Sequence, residues 1–282
     1  MKSLFAGLLV AATFATATAD VKLRVSPTTA KPGDPILVTV TGSSTTPSGT
    51  ADGKPLQFFR AKTGYQALFA IAIDHVPENI SIEVDSVKLP ASVTVKTALW
   101  PRTDIIVEDE LANPPAADRD RIAADNKAII AAMTGDKGDP QFTRAFRRPP
   151  GEVTSTFGEW RTFNDGHSNQ HLGVDLFAKE GAKVRAINAG TVTLVRDTFL
   201  AGQVVVVAHG GGIASAYFHL SAASVAEGDV LRSGAEVGRA GHTGRTTGPH
   251  LHLALRTPGG FVNPIAFFKL AIAPAAPATA RR

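Results

Sequence analysis

The chain has 282 residues, of which 44% are hydrophobic and 7% aromatic, which is enough apolar material for two ordinary hydrophobic cores. Its 29 basic and 25 acidic side chains leave a formal charge of +4, and no run of Lys and Arg alternates with aromatic residues, so the composition argues against nucleic-acid binding. The chain contains no cysteine, which excludes disulfides and thiolate ligands. Any bound metal must therefore be held by histidine and carboxylate groups.

The first 19 residues have the pattern of an export signal. Lys2 precedes an apolar run that extends from residue 4 to about residue 14, and Ala17, Thr18 and Ala19 form a small-residue cleavage site. The apolar run is shorter than the roughly 20 residues that span a bilayer, which favours a cleaved signal over a membrane anchor. We therefore predict a signal peptide at residues 1–19 and an exported protein, in the periplasm or outside the cell, with no integral membrane segment after cleavage.

Residues 20–98 are predicted to form a β-rich accessory domain. Short runs of alternating polar and apolar residues indicate strands, and turn formers separate them at intervals of roughly ten residues, as is typical of a small antiparallel β-sandwich. His75 stands alone in this region and is predicted to be a loop histidine. The expected strands cover residues 22–26, 36–41, 55–60, 67–73, 80–85 and 91–96.

Residues 99–146 are predicted to be a linker that contains one helix, at about residues 117–134. The segment is rich in alanine, begins with acidic residues and ends at Gly135, and these are features of a helix. We expect its apolar stripe to pack on a domain surface without a functional role. The stripe consists of Ile122, Ile129, Ile130 and Met133.

Residues 147–270 are predicted to form a second strand-rich domain, because glycines separate short strands in the manner of a β-sandwich or open barrel. The fold class is therefore mainly β. Residues 271–282, which are rich in Ala and Pro, are expected to be a disordered tail. The expected strands of this domain cover residues 172–177, 183–187, 191–196, 203–208, 213–218 and 250–256.

Seven of the eight histidines lie in this second domain, and two groups have a spacing that suits a metal. In an extended chain His171 and Asp175 point to the same face, and so do His250 and His252. A catalytic zinc takes three nitrogen or oxygen ligands and keeps one open position, so two histidines and one carboxylate would suffice and a fourth polar group would remain for proton transfer. Each short motif alone is more often structural than metal-binding, and only their combination is informative.

Three motifs together give the domain a specific resemblance. The segments H-L-G-V-D, Y-F-H-L-S and T-G-R-T-T-G-P-H-L-H, at residues 171–175, 217–221 and 243–252, resemble those of the lysostaphin-type zinc metallopeptidases that hydrolyse peptidoglycan. The resemblance extends over about residues 147–268, and the N-terminal region is similar to the β-rich accessory domain of some of these peptidases. His209 and His242 depart from the commonest family pattern.

The resemblance implies a role for five side chains. His171, Asp175 and His252 would bind one Zn²⁺ per chain, and His219 and His250 would flank the metal and serve catalysis. It further implies metal-activated hydrolysis of peptide bonds, in cross-links or stem peptides, with the two free histidines acting as base, oxyanion stabiliser or proton donor.

The predicted function is thus that of a secreted zinc endopeptidase whose partner is peptidoglycan. Two alternatives stay open: a non-catalytic regulator of another cell-wall hydrolase, and a general secreted protease that cuts glycine-rich proteins. Glycines at residues 210–212 and at 241 and 244 predict a cleft with backbone-rich walls that suits small-residue peptides.

Overall fold

The computed structural model describes residues 20–134, 138–164 and 166–275. The predicted signal peptide at residues 1–19 and the end of the predicted tail, residues 276–282, lie outside these ranges. None of the helices within the described ranges has the length and apolar character that crossing a membrane requires. The architecture confirms a mainly β fold.

The N-terminal part is built from short strands that form two sheets. One sheet has the order β1-β3-β7-β6 and the other the order β2-β9-β8-β4-β5. Most pairings are antiparallel, as predicted, but β2 runs parallel to β9. The strands are β1 (Lys22–Ser26), β2 (Thr29–Ala30), β3 (Pro35–Thr41), β4 (Gly49–Ala51), β5 (Lys54–Pro55), β6 (Phe59–Arg60), β7 (Tyr65–Ala70), β8 (Ile80–Val84) and β9 (Ala91–Val95).

The linker contains a strand as well as helices. A single turn of 3₁₀ helix, Ala116–Asp118, leads directly into the long helix. The linker strand β10 (Arg102–Ile105) was not predicted. It pairs with β12 in a three-stranded sheet of order β10-β12-β13, whose other two strands belong to the C-terminal part. The elements are β10 (Arg102–Ile105), α1 (Asp109–Ala112) and α2 (Arg119–Thr134).

The C-terminal part is dominated by one large sheet, whose main path runs β11-β14-β21-β18-β17-β16-β19. Helix α2 covers one face of this sheet, where Ile129 and Met133 are buried against Val204 and Val206. The elements are β11 (Val153–Ser155), β12 (Trp160–Phe163), β13 (Ser168–Gln170), β14 (Val174–Phe177), β15 (Lys183–Arg185), β16 (Gly190–Thr198), β17 (Gly202–Gly210), β18 (Ile213–Ala223), β19 (Val230–Leu231), β20 (Glu236–Ala240), β21 (His250–Thr257), β22 (Gly260–Val262) and α3 (Pro264–Phe267).

Strand β7 is buried on both faces, and its side chains contribute to the cores of both the N-terminal and the C-terminal part. Ala67 and Phe69 point into the core between the two N-terminal sheets. Leu68 and Ala70 point the other way, into a core that also contains residues of β21, β22 and α3. Because both faces are covered, β7 lacks the polar alternation of a half-exposed strand.

The segment 271–275 corrects the expected disorder of the tail. The side chain of Gln66 bonds to the carbonyl of Ala271 at 3.2 Å and accepts from the amide of Ala273 at 2.9 Å, and Ile272 is buried. Composition predicted disorder because Ala and Pro cannot build a core, but here the N-terminal sheet supplies the partners.

Candidate metal centre

Three side chains converge where β14 lies beside β21. The antiparallel register places Asp175 directly opposite His252. His171 Nε2 lies 3.1 Å from Asp175 Oδ1 and 2.7 Å from His252 Nδ1, and His252 Nδ1 lies 2.8 Å from Asp175 Oδ1. Among the described residues, these three form the group of His and carboxylate side chains that could hold a metal ion.

His171 reaches the site by a route that differs from the prediction. We expected His171 and Asp175 to share one extended strand, but β14 begins at Val174 and His171 precedes it. Its amide donates to the carbonyl of Glu159 at 2.8 Å, and its own carbonyl accepts from Gly158 at 2.8 Å. Backbone hydrogen bonds to residues 158 and 159, rather than the alternation of a strand, therefore position the His171 imidazole.

The donor set suits Zn²⁺. His171 Nδ1 donates to the carbonyl of Thr156 at 2.9 Å, which leaves Nε2 with a lone pair in the neutral ring. Tetrahedral zinc with bonds of about 2.0–2.1 Å separates its ligand atoms by roughly 3.3 Å, so the three atoms need to move apart by only about half an ångström. Gly173 makes this packing possible, because a Cβ there would lie 2.6 Å from His252 Nε2.

The electrostatics keep Asp175 and His252 in the protonation states that a metal requires. Burial would raise the pKa of Asp175, but the close contacts of its carboxylate with the His171 and His252 rings outweigh burial and hold that pKa far below its ordinary value. Burial lowers the pKa of His252 to about 4, against the opposing hydrogen bond to Asp175. At neutral pH the site thus offers a carboxylate and neutral imidazole nitrogen.

Behind Asp175 lies a polar network that sequence reasoning did not find. Arg161 Nη2 donates to Asp175 Oδ2 at 2.6 Å and to Ser155 Oγ at 2.6 Å, and Arg161 Nε lies 3.4 Å from Glu159 Oε2. Thr103 of β10 and Ser155 both donate to the Glu159 carboxylate. The sequence suggested only that Arg161 and Asn164 could line a cleft, because nothing in the spacing connects Arg161 with residue 175.

His219 and His250 stand side by side next to the three convergent groups. Their ring centroids are 5.0 Å apart, and the His219 ring lies 6.0 Å from that of His252. His219 Nδ1 donates to the carbonyl of Thr243 and His250 Nδ1 to that of Gly248, both at 2.8 Å. A carbonyl can only accept, so in its neutral form each ring carries its proton on Nδ1 and has a lone pair on Nε2. His250 Nε2 lies 3.7 Å from Asp175 Oδ1.

His219 has an unusual backbone conformation. Its φ of 59° lies in the left-handed region, which costs a residue with a Cβ free energy, and its amide donates to the carbonyl of Ala201 at 3.0 Å. Burial, and then the nearby His252 and His250, lower its pKa to about 3. This ring is therefore neutral at physiological pH.

A cleft of about 990 Å³ contains all five side chains. One wall comes from β10 and the residues that follow it, a second from α2, and a third from residues 245–250. Asn126, Ile129 and Ile130 of α2 line it, so the apolar stripe has a face on the cleft as well as on the sheet. The predicted glycine walls are wrong: the residues that line the cleft include none of the glycines at 210–212, 241 and 244, and Gly211 instead packs near Phe59 at the boundary with the N-terminal part.

The remaining histidines are placed elsewhere. His75 and His167 are in loops, and His242 is exposed, with Nδ1 3.3 Å from Glu180 Oε1. His209 is fully buried, with Nδ1 bonded to the carbonyl of Ala189 at 2.7 Å and Nε2 to Ser215 Oγ at 2.9 Å.

Fold and site together define a β-rich hydrolase-like domain with a His-Asp-His group at the bottom of an open cleft. Residues 169–264 match the family model described as peptidase family M23. DD-carboxypeptidase/endopeptidase Mpg of Neisseria meningitidis is 44% identical over 95 residues, which are 34% of this chain and 22% of that protein. Peptidoglycan DD-endopeptidase ShyA of Vibrio cholerae is 35% identical over 133 residues, 45% of this chain and 31% of that protein.

A solved structure is similar over more than the C-terminal part. A crystal structure assigned to peptidase M23 from Pseudomonas aeruginosa has a TM-score of 0.65 at 26% identity, and the similarity covers 84% of this chain and 93% of that chain. The matches span less than a third of the two curated relatives. Residues 169–264 of this chain are thus an M23 peptidase domain of the lysostaphin type.

Proposed function

We propose that this protein is an exported zinc endopeptidase that hydrolyses peptide bonds in bacterial peptidoglycan. The observation that carries the proposal is the approach of His171 Nε2, Asp175 Oδ1 and His252 Nδ1 to within about 3 Å of one another on the floor of a cleft. The relatives named as peptidoglycan DD-endopeptidases support the substrate class. We retain residues 1–19 as a proposed signal peptide, because a cell-wall substrate requires export.

The proposed mechanism assigns the chain's residues to two tasks. His171, Asp175 and His252 would hold Zn²⁺, which when bound supplies Lewis acidity toward water and the scissile carbonyl. His219 and His250 line the same cleft with a lone pair on Nε2, so each can accept a proton there and return it to the leaving amine. Their Nδ1 hydrogen bonds to carbonyls fix both rings in one tautomer.

The experiment combines metal analysis with digestion of purified sacculi. Wild-type protein should bind one zinc and convert cross-linked muropeptides to monomers, and a chelator should stop the conversion. His171→Ala and Asp175→Ala should lose both zinc and digestion, because each removes a ligand. His219→Ala and His250→Ala should keep zinc and lose roughly two to four orders of magnitude in turnover.

The matched control is His242→Ala, since His242 is exposed and does not line the cleft, and this variant should keep both properties. Full zinc content in His171→Ala would reject the ligand assignment. Intact sacculi together with stimulation of a separate amidase would favour the regulator, and efficient degradation of glycine-rich proteins would favour the general protease.

A further inference from the structure

Arg245 projects into the same cleft from the loop that ends at His250. Its guanidinium lies over the ring of Phe163, 3.8 Å from the centroid, and its amide donates to the carbonyl of Leu200 at 2.8 Å. Its loop is held by Thr246, whose hydroxyl bonds to both the amide and the carbonyl of Gly248. The side chain is therefore half-buried and held in place on the cleft wall.

The positive charge of Arg245 has no carboxylate partner within 4 Å among residues 20–134, 138–164 and 166–275, whereas Arg161 nearby is paired with Glu159 and Asp175. The polar side-chain contact of Arg245 is with His167 Nε2, at 3.5 Å from Nη1. Burial and the charge of Arg161 lower the pKa of Arg245 to about 10, which leaves it charged at neutral pH. A partly desolvated cation beside a second cation is a favourable position for an anionic group of a ligand.

We propose that Arg245 is a specificity-determining residue that binds a free carboxylate of the substrate peptide. This inference rests on the proposed function and narrows it to peptides that carry a carboxylate in addition to the scissile amide. The planar guanidinium can bind both carboxylate oxygens, and the Phe163 ring beneath it fixes the plane. Two sources supply this chemistry: the terminal carboxylate of a peptide and the side-chain carboxylate of an amino acid or diamino acid.

The test uses three synthetic peptides that differ only in their carboxylates. One has both carboxylates free, the second has the terminal carboxylate amidated, and the third has the side-chain carboxylate amidated. Amidation of the group that Arg245 binds should raise the wild-type KM roughly 10- to 100-fold, the usual range for a charge-assisted hydrogen-bonded pair. Amidation of the other group should have little effect, which identifies the source.

Arg245→Gln should show the same rise in KM on the free peptide and no further loss on the amidated one. Arg245→Lys should keep part of the preference for the free carboxylate over the amide, because lysine keeps the positive charge but lacks the planar guanidinium. Arg102→Gln is the matched control, since Arg102 also lies over an aromatic ring, Trp160 at 6.0 Å, but does not line the cleft. It should leave the preference unchanged.

Binding of the three peptides to zinc-loaded His250→Ala, with and without Arg245→Gln, separates this inference from the proposed function. Carboxylate-dependent binding that requires Arg245 would support the inference even if the wild type cleaved none of the peptides. Equal losses of binding on all three peptides in Arg245→Gln would overturn it and leave Arg245 as a part of the cleft wall.

Discussion

At the scale of single residues, Asp175 is the centre of the site because its two oxygens have different partners. Oδ1 faces His171 and His252, while Oδ2 accepts from Arg161 at 2.6 Å. A guanidinium on one oxygen fixes the carboxylate plane and directs the other oxygen toward the proposed metal. Arg161 is thus a positioning residue, and Glu159 in turn holds Arg161.

We predict that Arg161→Met lowers zinc affinity roughly 10- to 100-fold, the usual effect of removing a group that orients a ligand. Arg161→Lys should lower the zinc affinity less than Arg161→Met does, because lysine retains a charged donor. Competition with a chelating dye measures the affinity, and Arg102→Met, on the neighbouring strand β10, serves as the control. A wild-type zinc affinity in Arg161→Met would show that Asp175 needs no such support.

At the scale of elements, α2 is held on the large sheet by a buried carboxylate. Asp125 accepts from Arg196 Nε at 2.8 Å and from the amide of Phe199 at 3.0 Å. On the same helix, Ile129 and Met133 are buried against the sheet, whereas Asn126 and Ile130 line the cleft. The element that we expected to be a packing linker therefore also shapes the candidate substrate site.

We predict that Asp125→Ala lowers the free energy of unfolding by roughly 2–4 kcal/mol, because it leaves the amide of Phe199 and the Arg196 side chain without their acceptor. KM should rise, since α2 would shift at the cleft, whereas zinc content should not change. Chemical denaturation and peptide kinetics measure the two effects. Lys127→Ala, an exposed change in the middle of the same helix, should alter neither the stability nor KM. A stability equal to wild type in Asp125→Ala would contradict the anchoring role.

At the scale of the whole molecule, the N-terminal sandwich and the peptidase domain share a core. Phe59 packs edge-on against Phe142 at 6.2 Å, the amide of Ala70 donates to the carbonyl of Pro258 at 2.7 Å, and that of Asn263 donates to the carbonyl of Gly33 at 2.7 Å. Such a boundary resembles the interior of one domain rather than a hinge. The accessory part is therefore a fixed scaffold for the cleft in this structure.

We predict that Phe59→Ala lowers the stability of the entire chain by about 3–5 kcal/mol, as expected for a large buried aromatic residue, and that unfolding remains one transition. Tryptophan fluorescence, from Trp100 and Trp160, and far-ultraviolet circular dichroism should give coincident curves. Leu89→Ala, at a side chain that is 78% exposed, is the control. Two separate transitions, with only one shifted by Phe59→Ala, would show that the parts fold independently.

Alternation of polar and apolar residues was enough to predict the mainly β class, and three short motifs were enough to reveal the resemblance to the lysostaphin-type peptidases. The alternation of polar and apolar residues is a local property of a strand, so the apolar strand faces that contain Val174 and Leu251 could be predicted without a structure. The same alternation placed His250 and His252 on one face of a single strand, which the structure bears out in β21. Periodicity sufficed there because both side chains belong to one element.

Contacts between groups that are far apart in sequence could not be predicted and are visible only in the folded chain. His171 depends on hydrogen bonds to residues 158 and 159, Asp175 depends on Arg161, and the cleft needs β10 and α2 from the linker. The position of Arg245 over Phe163 and the order of residues 271–275 are likewise set by contacts between segments far apart in sequence. Local propensity carries no information on such contacts, because their free energy arises from burial and hydrogen bonding that exist only after the chain has folded.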